Sequence, residues 1–290
     1  MRIDLHTHST ASDGTVAPAD LMRSARAAGL DVVALTDHDT TAGWAEAAAA
    51  LPDGLTLLPG AELSCRWFDV TPSVGLHMLA YLFDSANEPL AEEMSRVRQT
   101  RVHRAELMVE KLNADGVDLD WAEIQQIAAG GTVGRPHVAQ AMLRHGHIST
   151  IAEAFSPQWL GERYYVAKED MDVFTALRLV RAAGGVAVLA HSRRTDRRVP
   201  DALIVQLANA GLFGLEADHP EHDAEARAQV RALAADLGLV ATGSSDFHGA
   251  VKTVQLAANT TDPQVYDRIV AAATGSLPMT NKPLLSGRAL

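Results

Sequence analysis

The stretch DLHTHSTASDGT, residues 4–15, places His6, His8 and Asp13 directly after a short apolar run near the start of the chain. Side chains two residues apart on a β-strand point to the same face, so both imidazoles can reach one ion. Three potential ligands at a strand end indicate a metal site, provided that the rest of the chain supplies further ligands in equivalent positions.

The composition limits the class of protein. The chain has 290 residues, of which 47% are hydrophobic and 21% charged, and these proportions are typical of a globular protein with a sizeable core. The net charge of −11 argues against duplex DNA or an anionic membrane as a partner, because both attract basic surfaces. No apolar run is long enough to span a membrane and the N-terminus lacks a signal pattern, so we expect a cytoplasmic location. The sequence does not indicate an oligomeric state.

Short apolar runs alternate with alanine-rich stretches of helical periodicity, and this alternation predicts an α/β protein with a parallel sheet or barrel. The predicted strands cover residues 2–6, 31–36, 56–63, 77–83, 185–190, 212–217 and 239–242. The predicted helices cover residues 18–28, 41–50, 200–210 and 224–237.

One long segment interrupts the alternation. Between residues 92 and 180 the pattern is helical, as in SRVRQTRVHRAELMVEKLNADG at residues 95–116, with only a weak strand at 163–166. A structureless connection of this length is implausible in a compact fold. We therefore predict a barrel from residues 1–91 and 181–290, and an inserted helical subdomain at 92–180 that caps the substrate.

Further metal-binding residue types stand at the ends of the other predicted strands. Catalytic residues of barrel enzymes converge where strands end. His77 is an exception, because it begins its predicted strand. A hairpin between Glu62 and His77 would reverse that strand and place His77 beside the other candidates. These further candidates are His38 in LTDHDT, Glu62 in PGAEL, His77 in GLHML, His191 in VLAHS, and Asp246 and His248 in SSDFHG.

The nine candidates comprise six imidazoles and three carboxylates. This set suits manganese, zinc or iron better than calcium. Nine ligands exceed what one ion can use, so two or three adjacent ions are expected, with Glu62 or Asp13 as the bridging carboxylate.

The series DLHTHS, LTDHD, GAE, His77, AHS and SDFH resembles the motifs of the PHP (polymerase and histidinol phosphatase) family. The resemblance implies a distorted (β/α)7 TIM-like barrel with a site for two or three divalent ions, manganese first and zinc, iron or magnesium as alternatives. It also implies hydrolysis of phosphate esters, for which we expect in-line attack by a hydroxide that bridges the metals.

Two further segments, GRPH at residues 134–137 and GLEADHPEH at 214–222, are similar to a stand-alone PHP subgroup. Members of that subgroup act on nucleoside 3′,5′-bisphosphates or trim RNA from the 5′ end. The resemblance favours removal of the 3′-phosphate from a nucleoside bisphosphate to leave a 5′-nucleotide. The alternatives are a 5′-to-3′ exoribonuclease on short RNA, a histidinol phosphatase, or a metal-binding regulatory module without activity.

Residues for substrate binding and proton transfer are also predicted. Arg135 is the leading phosphate clamp, since a guanidinium matches two phosphate oxygens and lies at a helix N-terminus, and His137 shares this task. The arginines of SRRTDRR, residues 192–198, are expected to form an anion-binding rim. Among them, Arg194 is the candidate for binding the substrate. The candidates for protonating the leaving oxygen are Asp246, His219 and His222.

Overall fold

Seven strands form the path of the main sheet in the computed structural model, which describes residues 1–194 and 197–281. In chain order the strands are β1 Ile3–Asp4, β2 Val32–Leu35, β3 Thr56–Trp67, β4 Val74–Tyr81, β5 Met171–Asp172, β6 Val186–Leu189, β7 Arg193–Arg194, β8 Arg197–Arg198, β9 Gly214–Asp218, β10 Val240–Gly243 and β11 Met279–Thr280. The main path runs β1-β2-β3-β4-β6-β9-β10, while β5 and β11 pair with β3, and β7 with β8. All seven predicted strands are found, with ends shifted by a few residues.

The two ends of this path meet, which nearly closes the sheet into a barrel. Thr7 forms a parallel bridge with Phe247, and the His8 N–H donates to the Phe247 carbonyl at 2.8 Å. Below this junction the barrel is filled by apolar side chains, and the Tyr81 hydroxyl donates to the Leu5 carbonyl at 2.7 Å. The predicted distorted barrel is confirmed, and its strand ends surround one mouth.

Strand β4 runs against its neighbours. It pairs antiparallel with β3 and with β6, and Ser64 faces His77 in the β3–β4 register. The hairpin that the position of His77 required is therefore present. Its pairing extends from Gly60 with Tyr81 to Trp67 with Val74, so both strands reach further than the sequence predicted.

Six helices pack outside the sheet: α1 Pro18–Ala27, α2 Trp44–Ala49, α6 Val173–Ala182, α7 Asp201–Ala210, α8 Ala224–Asp236 and α9 Pro263–Ala272. Four of them match predicted helices closely. Pro18 stands in the first turn of α1, and Gly29, at φ 78°, follows its end. Helix α9 was not predicted from the sequence.

The segment between β4 and β5 contains α3 Glu88–Ala114, α4 Trp121–Ile127, α5 Arg135–Arg144 and a short 3-10 helix, Glu153–Phe155. These helices share an apolar cluster of their own, with Met108, Leu112 and Met142 among its members. The first turns of α3 pack instead into the barrel cluster through Leu90 and Met94. Helix α3 therefore links the two cores.

The weak strand predicted at residues 163–166 is wrong. This segment forms turns in which Arg163 N donates to Pro157 O and Tyr164 N to Trp159 O. Both side chains bind Asp115 at 2.7 and 2.9 Å, which fixes the segment against the end of α3. Among the described residues, no helix combines the length and apolar character needed to cross a membrane.

Candidate active site

The carboxylate of Glu62 lies at the centre of the site and has imidazoles on both oxygens. A carboxylate in this position has the geometry of a ligand shared between ions. Its Oε2 lies 3.2 Å from His6 Nε2, 3.1 Å from His8 Nε2 and 3.2 Å from His38 Nδ1, and its Oε1 lies 2.7 Å from His77 Nδ1 and 2.9 Å from His191 Nε2.

Two further carboxylates complete the cluster. Asp246 Oδ1 lies 3.3 Å from His6 Nε2, and Asp13 Oδ1 lies 3.5 Å from His248 Nε2. The structure thus brings together all nine residues that the sequence predicted as ligands. Three overlapping groups have the spacing of metal ligands: His8, Asp13, His38 and His248; His6, His8 and Asp246; and His38, Glu62 and His77.

The loops at the strand ends hold some of these residues in unusual backbone conformations. His191 has φ 26° and Asp246 has φ 51°, a region that non-glycine residues adopt at a cost. Both residues are buried. The strain therefore falls on two candidate ligands, where the surrounding structure enforces it.

Glu216 on β9 supports the cluster and was missed by the sequence analysis. Its Oε1 accepts from His6 Nδ1 at 3.0 Å, its Oε2 accepts from the His191 N–H at 2.7 Å, and Ser244 also donates to it. A carboxylate behind a ligand histidine fixes the ring tautomer and orientation. The available signal was an acidic residue inside the apolar strand segment LFGLEA.

The cluster fits bound cations. In the neutral form of His6, which donates through Nδ1, the lone pair is on Nε2, and this atom faces His8 Nε2 at 3.0 Å and Glu62 Oε2 at 3.2 Å. His38 Nδ1 is buried without a hydrogen bond, although Glu62 Oε2 is 3.2 Å away. When the imidazoles are neutral, acceptor atoms converge here without enough donors, and divalent ions with nitrogen and oxygen ligands would satisfy them.

At Glu62 and His191 the electrostatics favour the protonation states that metal binding requires, whereas at His6 and His8 burial is outweighed by nearby carboxylates, which raise the pKa of both rings in the metal-free protein. Burial alone raises the pKa of Glu62, but the imidazoles of His38 and His77 outweigh it and hold this pKa well below its usual range. Burial lowers the pKa of His191 to about 3. Glu62 is therefore an ionised carboxylate and His191 a neutral imidazole, as metal ligation demands.

The two histidines predicted for proton transfer differ in their surroundings. His219 Nδ1 accepts from the Glu221 N–H at 3.1 Å, and its Nε2 lies 3.2 Å from Asp246 Oδ2. His222 Nδ1 donates to the Ala217 carbonyl at 2.9 Å, and its Nε2 accepts from the Arg193 N–H at 3.1 Å. Main-chain groups thus occupy both ring nitrogens of His222, while His219 borders the cluster.

The predicted substrate-binding residues lie in the insertion and on β7. The Arg135 guanidinium lies 5.4 Å from the ring centroid of Phe155 and 5.8 Å from that of Tyr165. His137 is buried, and its Nδ1 accepts from the Gly134 N–H at 3.0 Å at the start of α5. Arg194 Nε binds Glu221 Oε2 at 2.8 Å.

The prediction that Arg193 belongs to an anion-binding rim is wrong. This side chain is buried, and it donates to the Val199 carbonyl at 2.6 Å and to Asp201. It therefore holds the loop together from inside. Arg198 is exposed and donates to Gln229 at 3.3 Å, whereas residues 195 and 196 and the Arg197 side chain lie outside the described part of the chain.

Lys252 is a second residue that sequence reasoning missed. Its ammonium donates to Asp246 Oδ2, the carboxylate oxygen that also borders His219. Burial lowers the pKa of Lys252, but the charge of Asp246 outweighs it and raises this pKa, so the lysine is a cation at the edge of the cluster. It follows SDFHG by three residues, and no sequence motif marks it.

Comparisons with known proteins show the family of the chain. The PHP domain family model matches residues 4–158. A 5′-3′ exoribonuclease of Haemophilus influenzae is 32% identical over 89% of this chain and 94% of its own. A 3′,5′-nucleoside bisphosphate phosphatase of Chromobacterium violaceum is 32% identical over 85% of this chain and 87% of its own.

Solved structures show the same fold. A protein from Bifidobacterium adolescentis, described as a proposed metal-dependent phosphoesterase, aligns with a TM-score of 0.86 at 34% identity, covering 94% of this chain and 96% of its own. An amidohydrolase from Chromobacterium violaceum with bound sulfate and no metal aligns with a TM-score of 0.80 at 29% identity, covering 94% and 98%. The chain belongs to the PHP family, and it is a metal-dependent phosphoesterase.

Proposed function

We propose that this enzyme removes the 3′-phosphate from nucleoside 3′,5′-bisphosphates, leaving a 5′-nucleotide and inorganic phosphate. The observation that carries the proposal is the cluster around Glu62, in which one carboxylate joins two sets of imidazoles. The named activity of the Chromobacterium violaceum relative supports this substrate, and the net charge of −11 favours a small one.

We further propose that two or three divalent ions bind here, with manganese as the first choice and zinc, iron or magnesium as alternatives. The nine strand-end residues would hold them, with Glu62 in the bridging position. When bound, such ions lower the pKa of a coordinated water and neutralise charge on phosphoryl oxygens.

Side chains of the insertion and the neighbouring loop are our candidates for binding the nucleotide. The rings of Phe155 and Tyr165 lie beside the Arg135 guanidinium, and such packing would favour a guanidinium that binds two phosphate oxygens. His137 and Arg194 are the further candidates. In this role residues 92–180 form a cap over the substrate.

His219 is our candidate for donating a hydrogen bond to the leaving oxygen. Its Nδ1 accepts from the main chain, so the hydrogen of the neutral ring is on Nε2, the atom that faces Asp246. Asp246 would orient this donor. Because both nitrogens of His222 bind main-chain groups, we assign His222 to supporting the loop between β9 and α8.

A second candidate function is 5′-to-3′ exoribonuclease activity on short RNA. The named activity of the Haemophilus influenzae relative supports it. A groove of about 530 Å³ lies between α3 and the loops after β1 and β2, and Ala11 and Thr40 in its wall stand two residues from Asp13 and His38. This groove offers room for a longer substrate than a single nucleotide.

The test is phosphate release from adenosine 3′,5′-bisphosphate by protein reconstituted with manganese, beside a 5′-phosphorylated tetraribonucleotide and histidinol phosphate. We expect the bisphosphate to be turned over fastest, and Arg135→Ala to lower its kcat/KM without loss of bound metal. Arg163→Ala is the control, because Arg163 also stacks on a tyrosine but is exposed. Preferred cleavage of the RNA or of histidinol phosphate would contradict the proposal.

A further inference from the structure

The two carboxylate oxygens of Asp246 have different surroundings. Oδ1 faces the cluster of candidate ligands, where it lies 3.3 Å from His6 Nε2 and 3.4 Å from His8 Nε2. Oδ2 is bound by the Lys252 ammonium and lies 3.2 Å from His219 Nε2. The carboxylate therefore has one oxygen among the candidate ligands and one oxygen held by side chains of other loops.

Both groups at Asp246 Oδ2 are hydrogen-bond donors. An ammonium has only donors. His219 Nδ1 accepts from the Glu221 N–H at 3.1 Å, so the hydrogen of the neutral ring is on Nε2. An oxygen that accepts two hydrogen bonds, one of them from a cation, is a poor ligand for a metal ion, because the two positive charges repel each other. Oδ1 is therefore the oxygen that is available to an ion.

The backbone that carries Lys252 is fixed against another loop of the mouth. Lys252 follows a 3-10 turn, Gly249–Val251, in the loop after β10. The Ala250 N–H donates to Thr15 Oγ1 at 2.8 Å, and the Thr15 N–H donates to the His248 carbonyl at 3.1 Å. Thr15 belongs to the loop after β1, so these bonds join the two loops and hold the backbone from which the lysine side chain extends.

Lys252 lies at the boundary between the cluster and solvent. Its side chain is 29% exposed, whereas that of Asp246 is 5% exposed. The buried guanidinium of Arg101 has a different position, because it donates to Asp39 at 3.2 Å and to Ser64 at 2.7 Å, neither of which is a candidate ligand. Of these two cations, Lys252 is the one that contacts a candidate ligand directly.

We propose that Lys252 is a positioning residue for Asp246: together with His219 it holds Oδ2, so that Asp246 binds an ion through Oδ1 alone. A carboxylate that binds through one oxygen leaves a coordination position open to water or to a phosphoryl oxygen, and catalytic metal sites need such a position. Lys252 therefore lowers the affinity of the site for metal and keeps the site open to substrate. The inference rests on the proposed function, because it requires Asp246 to be a ligand.

Lys252→Met tests this role, because it removes the ammonium and keeps a side chain of similar length. Asp246 is then expected to bind the ion through both oxygens. Metal affinity rises about tenfold, since a nearby positive charge is gone. At saturating metal, kcat falls about 10- to 100-fold, as is typical for loss of a group that orients a ligand.

Titration of the full-length protein against a competing chelator measures the affinity. The substrate for kcat is the ester that the wild-type protein turns over fastest among the three named above, which is expected to be adenosine 3′,5′-bisphosphate. Opposite changes in affinity and kcat separate positioning from a merely structural role, because loss of structure would lower both.

The coordination number of the ion gives a readout that does not depend on activity. In cobalt-substituted protein the visible absorption per ion weakens as the coordination number rises, so Lys252→Met is expected to absorb less than the wild type. Lys252→Arg keeps a cationic donor at this position. It is expected to restore most of the absorption and of kcat.

Lys111→Met is the matched control, since it removes an exposed cation from α3. Parallel losses of metal affinity and kcat in Lys252→Met would show that the lysine only supports its loop, and unchanged values would show that it has no role. Either result would overturn the inference and leave the proposed function standing. A wild-type protein that binds no metal, or that turns over no phosphate ester, would overturn the proposed function and the inference with it.

Discussion

At the scale of single residues, the site depends on two carboxylates in different positions. Glu62 stands among the ligand imidazoles and faces five of them, whereas Glu216 stands behind His6 and the His191 main chain. Glu62 would supply negative charge to ions bound in the cluster. Glu216 fixes the tautomer that leaves His6 Nε2 available to an ion.

Glu216→Gln is expected to weaken metal binding by about 10- to 100-fold, because loss of the carboxylate charge lowers the basicity of His6 and loosens its orientation. Titration against a competing chelator measures the affinity. Glu225→Gln, which changes an exposed glutamate on α8, serves as the control. Equal affinities for the Glu216→Gln and wild-type proteins would exclude this role.

Metal uptake should release protons in a defined pH range. Burial lowers the pKa of His8, but Asp246 and Glu62 outweigh it and raise this pKa to about 9 in the metal-free protein. Below pH 9 the ring therefore carries a proton that must leave when Nε2 binds an ion. Calorimetry at pH 7.5 in two buffers of different ionisation enthalpy should show at least one proton released per chain. Heats that do not depend on the buffer would contradict the prediction.

The candidate ligands could be predicted from the sequence because residue types that bind metals stand at the ends of the predicted strands. Glu216, Lys252 and Arg101 could not be read in this way. Glu216 lies within a strand, Lys252 in a loop without a motif, and Arg101 among many charged residues of a long helix. Their importance depends on which side chains the fold brings beside them.

At the scale of secondary-structure elements, the β3–β4 hairpin and helix α3 connect the barrel to the insertion. The hairpin carries Glu62 and His77, and α3 contacts it through the bond from Arg101 to Ser64. The antiparallel direction of β4 was predicted from the position of His77, which is the only candidate ligand that begins its predicted strand. The end of β3 could not be predicted, because pairing with β4 and β5 continues it to Trp67.

The loop before α5 also contacts the barrel closely. A Cβ on Gly131 would lie 2.2 Å from the Thr10 carbonyl oxygen, in the loop that carries Asp13. Gly131→Ala is therefore expected to lower the free energy of unfolding by about 1–3 kcal/mol, since backbone must move to make room. Urea denaturation of the metal-free protein measures the change.

Gly134→Ala is the matched control for stability, because the nearest atom to its Cβ would be 3.5 Å away. Gly134 is the N-cap of α5, where alanine is less favourable than glycine, so this variant should lose about 0.5–1 kcal/mol and less than Gly131→Ala. If Gly131→Ala were as stable as this control, the close approach between the insertion and the barrel would not constrain the fold.

At the scale of the whole molecule, the barrel has an apolar lower part and a polar mouth. Leu5, Leu79 and Tyr81 fill the lower part, while imidazoles and carboxylates fill the mouth almost without solvent exposure. Such a mouth is costly to bury unless cations neutralise it. Metal ions are therefore expected to contribute to the stability of the fold as well as to catalysis.

Removal of metal should lower Tm. Ions that bind only the folded state at a hundred times Kd stabilise it by about 2.7 kcal/mol, which corresponds to about 5–10 °C for a chain of this size. Thermal unfolding in EDTA and in excess manganese measures the change in Tm. The magnesium chelate of EDTA is the control for effects of the chelator itself. Identical Tm values would mean that the cluster is stable without ions.

The claim on which this account depends is that the nine strand-end residues form a hydrolytic centre with more than one metal ion. The most direct measurement is a titration of metal-free protein with manganese, in which bound metal and phosphate release from adenosine 3′,5′-bisphosphate are followed together. Activity is expected to appear as the second ion binds and to be absent from the metal-free protein. Full activity without metal, or two bound ions without turnover of any phosphate ester, would contradict this claim.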